Sequence, residues 1–358
     1  MNRKVYASTL AVAVFLLAAG CSTDEPSNSE TAPQAESTTS AAEGSVTTDP
    51  IGSEEGDGSL EGLRVAYLLT NPLSPFESDV WDEIEATRQE GTVSETVLIE
   101  MTGPTEYEST IREVSEAGFD LVVSNFFFVK EPMEAVAPEF PDTSYALVYE
   151  ANEQSLDNLV GILYDVQEGS YACGVVAGLT TESNHVGFIG GNDSPGIIKF
   201  LAGYEAGFQS VNPDGQLDIS FSGSFVDPEL GRELAIAMYE SGADVVMHAA
   251  NLTGLGIFSA AEEADKYAIG VDIDQNDQAP DNVICSALSN SGASIRRVIE
   301  DVDAGTFDGS TWFWGLDDGP QSYAIPAWLP DNVAQAAAAA ETAIRDGAVV
   351  PPTDTPTR

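Results

Sequence analysis

Short apolar runs alternate with longer stretches of helical period along most of this chain. The run Leu63-Arg64-Val65-Ala66-Tyr67-Leu68-Leu69 is almost continuously apolar and stops at Thr70-Asn71, and 79–89 then reads as a helix. The pattern recurs, with strands expected at 120–124, 145–148, 160–164, 186–189, 217–221, 244–249, 268–271 and 283–286. Helices are expected at 168–179, 197–208, 229–241 and 255–264, and an alanine-rich one at 333–345 before a stop at Gly347. Such alternation predicts an α/β protein with parallel sheets flanked by helices. Nine or ten strands suit two doubly wound sheets better than one, because large twisted sheets split. No internal repeat of fixed period is present.

The N-terminus reads as an address. Asn2, Arg3 and Lys4 precede an apolar run over 5–19, too short to span a bilayer, which marks 1–20 as a secretory signal peptide. The following Leu17-Ala18-Ala19-Gly20-Cys21 resembles a lipobox, which makes Cys21 the expected site of lipidation and membrane anchoring; the alternative is ordinary secretion with Cys21 a free thiol. From 22 to 62 there is no aromatic residue, Lys or Arg, so 21–62 reads as a disordered acidic tether. Residues 351–358 read as a frayed tail.

Charge changes the picture. The 358 residues hold 13 Lys plus Arg against 59 Asp plus Glu, a net charge of -46. A nucleic-acid partner is excluded, since phosphate neutralisation needs a basic stripe. Three cysteines and two histidines supply no Cys/His metal cluster and no disulfide framework, so neither metal nor cofactor is expected. Residues 63–358 keep 49 acids against 11 bases, a self-repelling balance that points to a saline habitat.

In open α/β sheets ligands sit beyond the carboxyl ends of the strands. The residues there, including Asn71, Asn125, Phe126, Tyr149, Asp165, Asn251, Asp272 and Ser289, are rich in amides, carboxylates, hydroxyls and aromatics. No nucleophile is paired with a histidine, so a binding cleft is the simpler reading than a hydrolase. Gly190-Gly191 and Thr253-Gly254-Leu255-Gly256 do not spell a dinucleotide fingerprint and are expected to serve close backbone approach or strand-helix packing.

Several ordered segments together resemble a known family. They are Gln167-Glu168-Gly169-Ser170-Tyr171 to Ala177-Gly178, Val186-Gly187-Phe188-Ile189-Gly190-Gly191, Ala202-Gly203-Tyr204-Glu205-Ala206-Gly207, Gly223-Ser224-Phe225 with Asp227-Pro228, and Tyr267-Ala268-Ile269-Gly270-Val271-Asp272 with Asp274-Gln275. Over about 63–350 the chain is similar to the basic membrane protein (BMP) family, substrate-binding lipoproteins of ABC importers whose best-understood members are purine-nucleoside receptors. The resemblance implies a type I periplasmic-binding-protein fold, two doubly wound parallel-sheet lobes joined by a hinge. By that analogy lobe 1 comprises 63–165 plus 275–304 and lobe 2 comprises 166–274 plus 305–350, with crossovers near Asp165, Asp274 and Thr306. Trp312, Phe313 and Trp314 then read as a strand of the second lobe. Cys173 and Cys285 fall in different lobes as small buried hydrophobes, so no disulfide is expected between them.

The resemblance also implies site residues. Asp272 would accept hydrogen bonds from ribose hydroxyls, the alternative being a helix cap or Asx turn. Phe76 would stack on a planar base, the alternative being a hydrophobic staple. The remaining candidates are Asn71, Glu77, Tyr149, Met247, Asn251 and Ser289. Glu77 stands where the family has Asn, Tyr149 where it often has Asp, Met247 where Phe is usual, and Ser289 where Lys is usual. These changes remove a cation and an acid from the expected cleft. The function expected is that of an extracytoplasmic, lipid-anchored, monomeric receptor that binds a nucleoside-like small molecule and passes it to an ABC permease, without catalysis. The alternatives are a nucleoside hydrolase-like enzyme using Asp272 and Asp274, or a surface ligand sensor.

Overall fold

The computed structural model describes residues 62–319 and 322–355; the signal segment, Cys21 and the tether up to residue 61 lie outside the described residues. The first half runs β1 (Leu63–Leu69), α1 (Pro75–Glu90), β2 (Val93–Glu100), α2 (Pro104–Glu116), β3 (Leu121–Asn125), α3 (Lys130–Val136), β4 (Ser144–Val148) and β5 (Leu159–Tyr164). There follow α4 (Gln167–Thr180), β6 (His185–Gly190), α5 (Pro195–Val211), β7 (Gln216–Phe221), α6 (Pro228–Ser241), β8 (Val245–Ala249), α7 (Leu252–Ala264), β9 (Tyr267–Asp272) and β10 (Val283–Leu288). The chain closes with α8 (Ser291–Asp303), β11 (Thr311–Trp314), β12 (Tyr323–Ala324) and α9 (Asp331–Arg345).

The strands form two six-stranded sheets, β11-β5-β4-β3-β1-β2 and β12-β10-β9-β8-β6-β7. Among the described residues every pairing is parallel except that of β12 with β10. The central strands are apolar because both faces are covered: Leu121, Val122 and Val123 of β3 and Val245, Val246 and Met247 of β8 are wholly buried. β2 escaped the apolar pattern because, at the edge of its sheet, its Val-Ser-Glu-Thr-Val-Leu-Ile-Glu sequence is only half-buried along most of its length.

Both sheets reverse their strand order in the middle, between β1 and β3 in one and between β6 and β8 in the other. Such a reversal parts the helices that flank it and leaves a crevice at the carboxyl ends of the strands. Asn71 and Phe126 follow β1 and β3, and Asn192 and Asn251 follow β6 and β8, so these four residues flank the two crevices.

The lobe assignment differs from the analogy in two places. β10 lies beside β9 in the second sheet, so the return from lobe 2 comes at 289–290 and not near Asp274. After one short 3-10 turn at Asn276–Gln278 the chain pairs with the free edge of β9, and β12 later pairs with β10 on its other side. β11 pairs with β5 in the first sheet, so Trp312, Phe313 and Trp314 belong to the first lobe, and the last crossing falls after Trp314, later than Thr306. α8 packs on α1 and α9 on α4, which carries each helix to its own lobe.

The position of β10 also overturns the expectation for the cysteines. Cys173 of α4 and Cys285 of β10 form a disulfide, with Cα atoms 5.6 Å apart. Both belong to the second lobe, so the bridge ties a helix to its sheet and leaves the connections between lobes unlocked.

Candidate ligand cavity

A cavity of about 370 Å³ opens between the carboxyl ends of the two sheets. That size suits a small organic molecule. Its wall is largely aromatic, with Phe76, Phe126, Tyr149 and Tyr164 from the first lobe and Phe200 and Phe225 from the second. The rings of Phe76 and Phe126 lie 5.4 Å apart, Phe76 and Tyr149 5.6 Å, and Phe126 and Tyr149 5.9 Å in a stacked pair. Tyr149 also packs on Tyr164 at 4.7 Å. These distances are those of mutually supporting aromatic contacts, which fix the ring faces in place.

Phe76 reaches the wall because α1 starts where it does. Ser74 Oγ accepts hydrogen bonds from the Phe76 and Glu77 amides, and the Glu77 carboxylate accepts one from the Ser74 amide, a reciprocal capping box with Pro75 at the first helical position. Gly191 plays a comparable part in the second lobe. A Cβ there would stand 2.1 Å from the Phe225 ring, so only glycine lets that ring lie against the end of β6.

The backbone is strained where the site lies. Phe126, Tyr149, Asn251 and Asp272, within two residues of the ends of β3, β4, β8 and β9, have φ of 70°, 68°, 49° and 69°. Phe126 combines this with ψ of 163°, a conformation otherwise almost confined to glycine. Each such residue costs on the order of 1–3 kcal/mol, and their concentration on one cavity wall points to a function that needs those side chains aimed inward.

Tyr149 Oη donates to Asp272 Oδ1 at 2.5 Å, linking the first lobe to the second. Burial pushes the Asp272 carboxyl up to about 6, while the hydrogen bonds from Tyr149 and Ser289 oppose the shift. Burial, with the Asp272 charge beside it, holds the Tyr149 phenol well above its ordinary value. Lys199 of α5 also reaches the wall and donates to the Tyr164 carbonyl and Asp165 Oδ1, both at 3.1 Å.

Asn71, Phe76, Tyr149, Asn251 and Asp272 all meet on this wall. Glu77, Met247 and Ser289 do not. Glu77 is fully buried beneath it, where burial raises its carboxyl to about 7; Asn125 and, from the other lobe, Asn251 donate to it at 3.4 and 3.5 Å. Met247 is wholly inside the core, because its position in β8 points into the sheet packing and not beyond the strand end. Ser289 closes the turn around Asp272, its amide and hydroxyl donating to the Asp272 carbonyl at 3.0 and 3.3 Å.

Phe126 stands on the wall, as its place after β3 led the sequence to suggest, but sequence reasoning missed Tyr164, Phe200 and Phe225 as wall residues, and it missed Lys199. The cleft therefore keeps a cation, supplied from α5 and not from the turn after β10. Lys199 stands in Ile197-Ile198-Lys199-Phe200, one charge in an apolar helix start, and that isolation was its only signal. Asp274 is exposed and accepts from the Asn276 amide, so it does not converge with Asp272 on a common centre.

The family model described as "ABC transporter substrate-binding protein PnrA-like" (Bmp) matches residues 73–320. The chain belongs to this family. Within the Bmp family it is similar to basic membrane protein A2 of Borrelia garinii, 32% identical over 274 residues that cover 74% of this chain and 81% of that protein. It is 28% identical to the "ABC transporter nucleoside-binding protein BmpA" of Lactococcus lactis, over 77% of this chain and 84% of that protein. The match to the CD4+ T-cell-stimulating antigen of Listeria monocytogenes, 34% identical, covers 59% of this chain and 64% of that protein's length. Among solved structures, a solute-binding protein of an ABC transporter system from Aeropyrum pernix superposes with a TM-score of 0.73 at 25% identity, over 82% of this chain and 94% of that one. The chain thus belongs to a family of ABC transporter substrate-binding proteins and has the two-lobed α/β fold of periplasmic binding proteins.

Proposed function

We propose that this protein is an extracytoplasmic receptor that takes up a nucleoside-like small molecule between its lobes and hands it to an ABC permease. The observation that carries this reading is the cavity wall itself, in which aromatic faces surround the half-buried Asp272 carboxylate at the end of β9. Ring faces bind a planar base whatever its edge, and a carboxylate accepts the hydroxyls of a sugar. In this reading Phe76 and Phe126 hold the base, Asp272 holds the hydroxyls, and Asn71 and Asn251 meet polar edges. Tyr149 and Lys199 set the polarity of the cavity. Glu77, Met247 and Ser289 support the wall from behind.

The lobes would close on the ligand by motion at the three crossings, so that affinity reports the difference in binding between closed and open states. A disulfide is at home in an oxidising compartment, which supports placement outside the cytoplasm. Lipidation at Cys21 and a tether over 21–62 would hold the receptor at the membrane as a monomer, within reach of its permease.

Thermal melts of the purified protein in high salt test the reading, against a panel of nucleosides, free bases, pentoses and hydroxylated aromatic vitamins. A ligand at about a hundred times its Kd adds roughly 2.7 kcal/mol, a rise of several degrees in Tm. A shift with nucleosides supports the proposal, and a shift confined to another class replaces the ligand. Turnover of any nucleoside would make the protein an enzyme and sink the receptor reading.

A further inference from the structure

We infer that Tyr149 determines the hydroxyl selectivity of the cavity, by engaging Asp272 so that a ligand meets a carboxylate with one oxygen already in use. The inference rests on the nucleoside-like reading of the same cavity and goes beyond it to the sugar.

The geometry fixes the tyrosine hydroxyl on its target. Tyr149 Oη donates to Asp272 Oδ1 at 2.5 Å, and both residues line the cavity. Neither end of the bond is free to wander. The Tyr149 amide donates to the Ile162 carbonyl at 2.8 Å, and its ring is held between Phe126 at 5.9 Å and Tyr164 at 4.7 Å. Asp272 is fixed by the Ser289 amide, which donates to its carbonyl at 3.0 Å. Both residues hold left-handed backbone conformations, φ 68° and 69°, that turn their side chains toward each other across the lobes.

A carboxylate that recognises a vicinal diol accepts one hydroxyl on each oxygen. Here Oδ1 already accepts a short phenolic hydrogen bond, so the second hydroxyl of a diol is left the one remaining lone pair of an oxygen crowded by the Tyr149 phenol. That hydroxyl then adds little, and a sugar lacking it binds almost as well. An anionic end of Tyr149 is not a competing possibility, since burial and the Asp272 charge keep the phenol protonated. The groups facing the pair are Asp79 and Tyr164 of the first lobe and Ser289 beside Asp272.

Calorimetric titration at pH 8 of adenosine, inosine and uridine, each paired with its 2′-deoxy counterpart, tests the inference on wild type and on Tyr149→Phe. The variant keeps the ring and its packing and removes only the hydroxyl. Wild type should bind the members of a pair within about threefold of each other, and Tyr149→Phe should favour the ribose form by roughly tenfold, the size of one hydrogen bond to a charged group. A merely structural role for Tyr149 would lower both affinities and leave their ratio alone. A wild-type preference for ribose beyond about tenfold, or a ratio unmoved in Tyr149→Phe, overturns the inference and leaves the receptor reading standing. The wild-type ratio decides even if the variant does not fold. Failure of wild type to bind any of the six compounds overturns the nucleoside-like reading, and this inference with it.

Discussion

Tyr149 and Asp272, 123 residues apart in sequence and carried by different sheets, are joined by a single hydrogen bond across the cavity. Each follows or ends a parallel strand, β4 in one lobe and β9 in the other, and each is held in a left-handed backbone conformation. The bond exists only while the two sheets face each other at this separation. The same carboxylate that would greet a ligand therefore helps to hold the lobes together without one.

Replacing Asp272 by Ala should weaken ligand binding by about a hundredfold, the upper end for charged hydrogen bonds, without unfolding the protein. Calorimetry with whichever panel member stabilises wild type measures this, and unaltered affinity would remove Asp272 from the site.

The stability that Asp272 contributes to the ligand-free protein should be lost as pH rises from about 4 to 7. Asp272, pushed by burial up to about 6 in the folded state, binds its proton more tightly there than in the unfolded chain. Its contribution is complete below the ordinary carboxylate range and is lost as pH climbs through 6, and Glu77 behaves likewise through about 7. Asp272→Asn does not titrate, so the stability of wild type relative to this variant should fall by about 2 kcal/mol across that interval. Denaturant titrations at pH 4 and pH 7 give the difference, and a constant gap would show that Asp272 is solvated in solution.

Phe126 and Met247 should separate affinity from stability. Phe126 presents its ring to the cavity, so Phe126→Ala should weaken binding by tenfold or more, in line with about 1–3 kcal/mol per stacked base. Met247 lies wholly in the core, so Met247→Ala should cost about 2–5 kcal/mol of stability with little change in Kd. Parallel melts and titrations of the two variants would show the reverse pattern if Met247 were the ligand contact.

Removing the Cys173–Cys285 bridge should lower stability by about 2–4 kcal/mol, because its closure spans 112 residues of chain that the unfolded state would otherwise explore freely. Cys173→Ala with Cys285→Ala should melt lower and still bind ligand, since the bridge stays within one lobe. Loss of binding in a folded double variant would place the disulfide in the closing motion instead.

Molar salt should stabilise the protein by screening its excess of acids, 59 against 13 bases. Equal melting temperatures at low and molar salt would show that the acidic surface imposes no appreciable repulsion.

The order of apolar runs was enough to reveal an α/β chain with two parallel sheets, because strands covered on both faces must be apolar in sequence. Strand-end residues such as Asp272, Tyr149 and Asn251 were legible for the same reason, since a parallel sheet places its ligand beyond those ends. Sequence could not say which sheet would receive β10 or β11. That depended on which strand edge stood open when the chain returned, and it decided whether Cys173 and Cys285 could meet. Nor could it separate Asp272 from Met247 as cavity and core, because both lie in apolar strands and only depth along the strand tells them apart. The Tyr149–Asp272 bond, the approach of Lys199 and the aromatic enclosure were decided by tertiary structure alone. They arise where two lobes, each folded by its own pattern, bring distant strand ends to face one another.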